Sequence, residues 1–228
     1  MPTRSPAVPE VLTLVLDAGR AGRVELSCRA ILFDMDGVLV DSTAVIARRL
    51  RAWARGHGLD PATVLAASHG RTLTDLVRTV APGLDPQAEA TVLAAQEVAD
   101  AVRTVACPGA EPLTSRLPRD AWAIVTSAHR HVAEARLDAV GVPRPDVLVS
   151  AGDVRRGKPD PAGYALAAAR LGVDPCDCVV FEDAPAGVAA GLAAGCRVVG
   201  IAGTVPDGAL DGHHLVADLE AVAFAAAG

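Results

Sequence analysis

The stretch Ile31-Leu32-Phe33-Asp34-Met35-Asp36-Gly37-Val38-Leu39-Val40, followed by Asp41-Ser42, decides the fold. Ala30 to Phe33 is an unbroken apolar run and reads as a short buried strand. It ends in two carboxylates one residue apart, then a glycine. Side chains alternate along a strand, so Asp34 and Asp36 would share a face only if the strand continued. Gly37 indicates a turn instead. Two acids at the end of a buried strand are costly unless a cation lies between them.

The 228-residue chain can bury one sizeable core, with or without an insert. A hydrophobic content of 51% and a mean hydropathy of +0.32 point to a globular protein, with a core built mostly of Ala, Val and Leu. The net charge of −6 argues against a nucleic-acid partner held by a general basic surface. No apolar run approaches bilayer length, so no membrane partner is expected. The cysteines at 28, 107, 176, 178 and 196 are scattered and odd in number. Cys176-Asp177-Cys178 lacks the spacing of a zinc pair, and free thiols in a reducing cytoplasm are the simpler reading. The oligomeric state stays open, and a monomer is compatible with the sequence.

One compositional bias is sharper. Of 21 basic residues, Lys158 alone is lysine. A compact ammonium offers chemistry that a planar guanidinium does not. The setting Gly157-Lys158-Pro159-Asp160-Pro161 favours a function over chance retention.

Outward from the opening stretch, periodicity changes to helical after Asp41. Ser42 reads as an N-cap, with Val45, Ile46, Leu50 and Trp53 as an apolar face. Asp60-Pro61 and Asp85-Pro86 read as caps followed by proline in the first helical turn. Residues 43–107 read as helical throughout, without a strand candidate, and Cys107-Pro108-Gly109 closes the region. From 110 onward strands (121–126, 147–149, 178–181, 197–201) alternate with helices (110–117, 130–140, 161–171, 185–194). That rhythm predicts a parallel sheet covered on both faces, with its ligand at the carboxyl ends of the strands. The residues there are Asp34 and Asp36; Thr126, Ser127 and Ala128; Gly152 and Asp153; Glu182 and Asp183. Residues 1–27 carry no assigned function, and Val11 to Leu16 could be an extra edge strand or nothing ordered. His213-His214 reads as a surface loop.

Asp34, Asp36, Asp183 and Glu182 offer oxygens suited to Mg²⁺, which takes few carboxylates and shares its other positions with water and phosphate. Glu182-Asp183 could instead cap a helix, an expensive use of two acids after Val179-Val180-Phe181. Lys158 could neutralise both a phosphate and the acids. Ser127, between a strand and a helix, could hold phosphate oxygens.

Four segments carry a resemblance: Asp34 to Ser42, Val125-Thr126-Ser127, Gly157 to Pro161, and Phe181-Glu182-Asp183-Ala184-Pro185-Ala186-Gly187. Together they resemble the motifs of the haloacid dehalogenase-like superfamily, over about residues 29–225. The resemblance implies an α/β fold: a Rossmann-like doubly wound parallel sheet core, residues 28–42 and 108–228, with a small all-helical cap at 43–107. Residues 1–27 precede it as an extension. The implied enzyme is a Mg²⁺-dependent phosphatase of a small phosphorylated sugar or polyol. Asp34 would be the nucleophile and Asp36 the general acid and base. The metal would be held by Asp34, the Asp36 carbonyl and Asp183, with Glu182 in support. Ser127 and Lys158 would grip the phosphoryl group.

The cap lacks the lysine of phosphonate-cleaving relatives, and Asp36 sets the chain apart from dehalogenating ones. Ile46 stands where the phosphomutase branch usually carries His. The segments around His57 and His69-Gly70-Arg71 look like those of sugar-phosphate and glycerol-phosphate phosphatases. His69 and Arg71 are the cap residues most expected to meet substrate, with a solvated turn as the even alternative. A phosphomutase, or a non-catalytic phosphate-ligand binder on the same core, are the other readings.

Overall fold

In the computed structural model the described residues are 9–19, 22–68, 71–205, 210 and 212–226. In chain order the elements are β1 (Leu12–Asp17), β2 (Arg23–Cys28), β3 (Ala30–Phe33), β4 (Val40–Asp41), α1 (Thr43–Gly56), α2 (Pro61–Ser68), α3 (Leu73–Val80), α4 (Pro86–Asp100) and β5 (Val105–Ala106). There follow α5 (Ala110–Thr114), β6 (Trp122–Val125), α6 (Arg130–Val140), β7 (Val147–Val149), α7 (Ala162–Leu171), β8 (Cys178–Glu182), α8 (Pro185–Ala193), β9 (Arg197–Ile201), β10 (His214–Val216) and β11 (Val222–Ala226).

Six strands form a parallel sheet in the order β10-β9-β8-β3-β6-β7. The strand of the opening stretch, β3, lies inside it, paired with β8 on one side and β6 on the other. Alternation sends Ile31 and Phe33 to one face and Ala30 and Leu32 to the other. The first face packs on α5 and α6 through Leu113, Val132 and Leu137. The second packs on α7 and α8 through Tyr164, Ala167, Leu171 and Val188. Phe33 stacks on Phe181 at 5.4 Å and meets the edge of Trp122 at 6.0 Å, so three of the six aromatic residues gather at the sheet centre. The α/β doubly wound sheet is as the strand–helix rhythm predicts.

Helices α1 to α4 share a separate apolar cluster that includes Leu50, Trp53, Val64, Leu76, Val77 and Leu93. Asp85 accepts from Gln87 and Ala88 N–H, and Asp60 from Ala62 and Thr63 N–H, as the cap-then-proline pattern predicts. The region is not purely helical. Val105–Ala106 forms β5, antiparallel to β4, and Cys107 N–H donates to Leu39 O at 3.0 Å. This two-strand ribbon ties together the two chain crossings of the helical insert. Two-residue strands carry no periodic signal, which is why the sequence did not reveal it.

Two other features differ from the sequence reading. Val11 to Leu16 supplies β1, which is not an edge strand but the middle of a three-stranded antiparallel sheet, β11-β1-β2. Leu12, Leu14 and Leu16 are buried against the parallel-sheet core. Its partner β11 lies in an alanine-rich stretch with no alternating polarity. His213-His214 is not a free loop either. His213 Nδ1 accepts from Val198 N–H at 3.1 Å, and His214 begins β10. Among the described residues no helix is long and apolar enough to cross a membrane.

Candidate active site

Asp34 follows β3 directly, and its N–H donates to Phe181 O at 2.9 Å. The chain then turns. Leu39 and Val40 N–H both donate to Met35 O, and Gly37 sits at φ +88°. A side chain at Gly37 would be strained there and its Cβ would overlap the Asp183 carboxylate. The glycine thus makes the turn and lets the β8 end approach the β3 end.

Glu182 ends β8, with Asp183 just beyond it, and both are buried. Asp34, Glu182 and Asp183 each present a carboxylate oxygen, all within 4.8 Å of one another. Lys158 Nζ reaches into this group and donates to Asp34 Oδ1 and Glu182 Oε1, both at 2.6 Å. Its ammonium also lies 5.2 Å from the centre of the Tyr164 ring. Glu182 is fully engaged. Oε1 accepts from Lys158 and from Tyr164 O–H at 2.8 Å, while Oε2 accepts from Asp183 and Ala184 N–H. So Glu182 both anchors Lys158 and satisfies N–H groups at the start of α8. A Cβ at Gly187 would collide with its carboxylate.

The electrostatics are unbalanced. Three buried carboxylates face one ammonium. Burial, then the adjacent Glu182, pushes the Asp34 carboxyl well above its ordinary value against the pull of Lys158. Burial and Glu182 push Asp183 up to about 7, with the Thr204 hydroxyl pulling the other way. Burial alone would discharge Lys158, but Asp34 and Glu182 outweigh it and hold the ammonium charged. An all-oxygen donor set with surplus negative charge fits a hard divalent cation.

Asp36 points elsewhere. Arg136 Nη1 donates to both its oxygens, at 2.7 and 2.9 Å, and Ser42 Oγ donates to Oδ1 at 2.6 Å. Ser42 therefore does not cap α1 with its side chain, as its position suggested; its hydroxyl is spent on Asp36. A crevice of about 150 Å³ opens over these groups. Its floor includes Asp34, Asp36, Ser127 and Asp183, and its roof is formed by Ile46, Leu50, Leu65, Leu76 and Arg71 of the helical insert.

Of the expected site residues, Asp34, Lys158, Glu182 and Asp183 stand in direct contact or within one cluster, Ser127 lines the adjoining crevice, and Asp36 faces it from the side. Arg71 lines the crevice and donates to Thr79 Oγ1 at 3.3 Å. His69 lies outside the described residues. Asp153 is not part of the site. It accepts from Ser150 and pairs with Arg130 and Arg170, and these partners hold its carboxyl low against the effect of partial burial.

Four participants escaped the sequence reading: Tyr164, Thr204, Glu97 and Arg136. For the last two a signal existed. Arg136 shares the buried face of α6 with Val132, Ala133 and Leu137, and Glu97 that of α4 with Ala90, Leu93 and Ala94. A charge on an apolar helical face needs a partner.

A family model described as "Hydrolase: haloacid dehalogenase-like hydrolase" matches residues 28–195. The chain is 46% identical to hexitol phosphatase A of Escherichia coli over 181 residues, covering 77% of this chain and 84% of that one. It is 36% identical to glycerol-1-phosphate phosphohydrolase 2 of Saccharomyces cerevisiae over 193 residues, covering 79% and 77%. Among solved structures, CbbY from Rhodobacter sphaeroides in complex with phosphate superposes with a TM-score of 0.72 at 22% identity, covering 84% of this chain and 95% of that one. That last likeness bears on the fold alone.

Proposed function

Because this chain belongs to the haloacid dehalogenase-like hydrolase family, we propose that it hydrolyses the monoester of a small phosphorylated sugar or polyol, with Mg²⁺ as its metal, through a phosphoryl group carried on Asp34. The chain is a phosphoric monoester hydrolase, as its phosphatase relatives are. The observation that carries the reading is the buried cluster at the strand ends, where three carboxylates meet one ammonium beside a ligand-sized crevice.

In this reading Asp34, Asp183 and the Asp36 carbonyl hold the metal, with Glu182 supporting from behind. The metal would neutralise charge on the phosphoryl oxygens when bound. An Asp34 oxygen attacks phosphorus while the bond to the alcohol oxygen breaks. Asp36 gives that oxygen its proton. Asp36 then takes a proton from water, which attacks phosphorus, frees inorganic phosphate and returns the Asp34 carboxylate. Lys158 and Ser127 hold the phosphoryl oxygens. Residues 43–107 act as a cap over a core of 28–42 and 108–228, and Arg71, with His69, meets the hydroxyl-bearing part of the substrate. Ile46 offers no acid or base on the crevice roof, which favours hydrolysis over phosphoryl isomerisation. Five free cysteines favour a reducing, cytoplasmic setting.

The test is phosphate release from a panel of sugar and polyol phosphates with and without Mg²⁺. Turnover should require Mg²⁺, and Asp34→Asn should lower it by more than about a thousandfold. Undiminished turnover by Asp34→Asn would refute the mechanism.

A further inference from the structure

The four charged groups Arg49, Glu97, Arg136 and Asp36 form one chain of alternating sign. Arg49 on α1 pairs with Glu97 Oε1 on α4. The same oxygen accepts from Arg136 Nη2 on α6 at 3.2 Å, and Arg136 Nη1 grips both oxygens of Asp36. The side chains of Arg49, Glu97 and Arg136 are 3%, 5% and 2% exposed, so water does not compete for these contacts. Asp36 stands at the open end, on the crevice.

Stability is a poor reason for such an arrangement. Buried ion pairs seldom stabilise a fold more than apolar side chains of similar size. The geometry also favours orientation over hydrogen-bond satisfaction. Arg136 Nε has no partner among the described residues, while both terminal nitrogens are directed at carboxylates. Asp36 needs such a clamp, because it lies in a turn beside a glycine and not in a regular strand. Two of the four groups belong to the helical insert and two to the sheet core.

We propose that Glu97 and Arg136 are positioning residues for the hydrolysis: Glu97, reaching across from the insert, fixes the Arg136 guanidinium, which fixes the Asp36 carboxyl group beside the leaving oxygen. This rests on the assignment of Asp36 as the proton donor. Seating of the insert and placement of the proton donor are then one event, since Glu97 leaves Arg136 whenever α4 lifts from α6.

The experiment compares kcat/KM for two substrates, the alkyl phosphate turned over fastest in the panel and 4-nitrophenyl phosphate, whose leaving group departs without a proton. This quantity ends at the departure of the alcohol, so the later water attack does not enter it. Glu97→Gln keeps the side-chain shape and removes the charge that fixes Arg136. It should lower kcat/KM for the alkyl phosphate by about a hundredfold and leave the aryl phosphate near the parent value. Arg136→Lys should show the same split, and Asp36→Asn, measured beside them, sets its full size. Inhibition by inorganic phosphate and the unfolding midpoint confirm an intact site and fold, and either folded variant suffices. Equal losses on both substrates, or none, in the Glu97 and Arg136 variants overturn the inference. If Asp36→Asn itself shows no split, the assignment of Asp36 fails instead.

Discussion

Two groups of buried ions meet beside Asp36, and their charge balance differs. At the strand ends, Asp34, Glu182 and Asp183 face Lys158, three carboxylates to one ammonium. Between insert and core, Arg49 and Arg136 face Glu97 and Asp36, two guanidiniums to two carboxylates, and Asp100, 3.8 Å from Arg49, is shared with the exposed Arg48 and Arg103. The first group carries surplus negative charge: burial and the neighbouring Glu182 together hold the carboxyls of Asp34 and Asp183 above their ordinary values, whereas in the second group burial raises Glu97 against the pull of two guanidiniums. The second group is complete, so its worth lies in where it holds its members. Imbalance marks the place that takes a ligand, and balance marks the frame around it.

The comparison is broken most directly by unbalancing the complete group. Arg49→Met leaves Glu97 with one guanidinium and no second partner. Loss of one member of a buried pair costs about 3–5 kcal/mol, and a denaturant melt should read a loss of that order. A cost below about 1 kcal/mol, the range of exposed pairs, would show that the second group is not a frame. In the incomplete group the expected effect falls on chemistry. Lys158→Arg keeps the charge but puts a planar fork into a space shaped by Asp34, Glu182 and the Tyr164 ring. Turnover should fall about a hundredfold, with a smaller change in the unfolding midpoint; near-normal turnover would mean that only the charge matters there.

The smallest effect sharpens the comparison through pH. Burial and the adjacent Glu182 push the Asp183 carboxyl from the ordinary 3.8 up to about 7. The folded state therefore binds this proton more tightly than the unfolded state does. Its contribution to stability is present at low pH and is lost as pH rises through that interval. In the proposed function a divalent cation would take the proton's place. At one fixed Mg²⁺ concentration the Mg²⁺-induced rise in Tm should then be larger at pH 8 than at pH 5, and the stabilisation amounts to about 2.7 kcal/mol where that concentration is a hundredfold above Kd. An equal rise at both values would show that the cation does not meet Asp183.

The two groups also differ in how far the sequence reveals them. Each member of the incomplete group announces itself locally. Asp34 and Asp183 follow apolar strands, and Lys158 stands alone among 21 basic residues in a Gly-Lys-Pro setting. The parallel sheet is legible for the same reason, since strand and helix periodicities alternate within short windows. Helix α6 was read with its observed bounds, 130–140. The members of the complete group lie within helices, where Arg136, Glu97 and Arg49 look like ordinary solvated charges unless the apolar face is traced through them. The ribbon of β4 and β5 and the strand β11 were missed because two residues, or a run of alanines, hold too little pattern.

The sequence by itself determined which residues would stand at the strand ends, because a carboxylate after an apolar run is placed by the local geometry of strand and turn. It also determined the bounds of α6, but not that Arg136 lies on its buried face. Only the tertiary structure decided what that guanidinium meets. Its partners Asp36 and Glu97 lie 100 and 39 residues away. No local rule links positions so far apart, since their meeting depends on how the insert packs on the core. The tertiary structure also set the charge balance of each group, because a charge is balanced by what is near it in space.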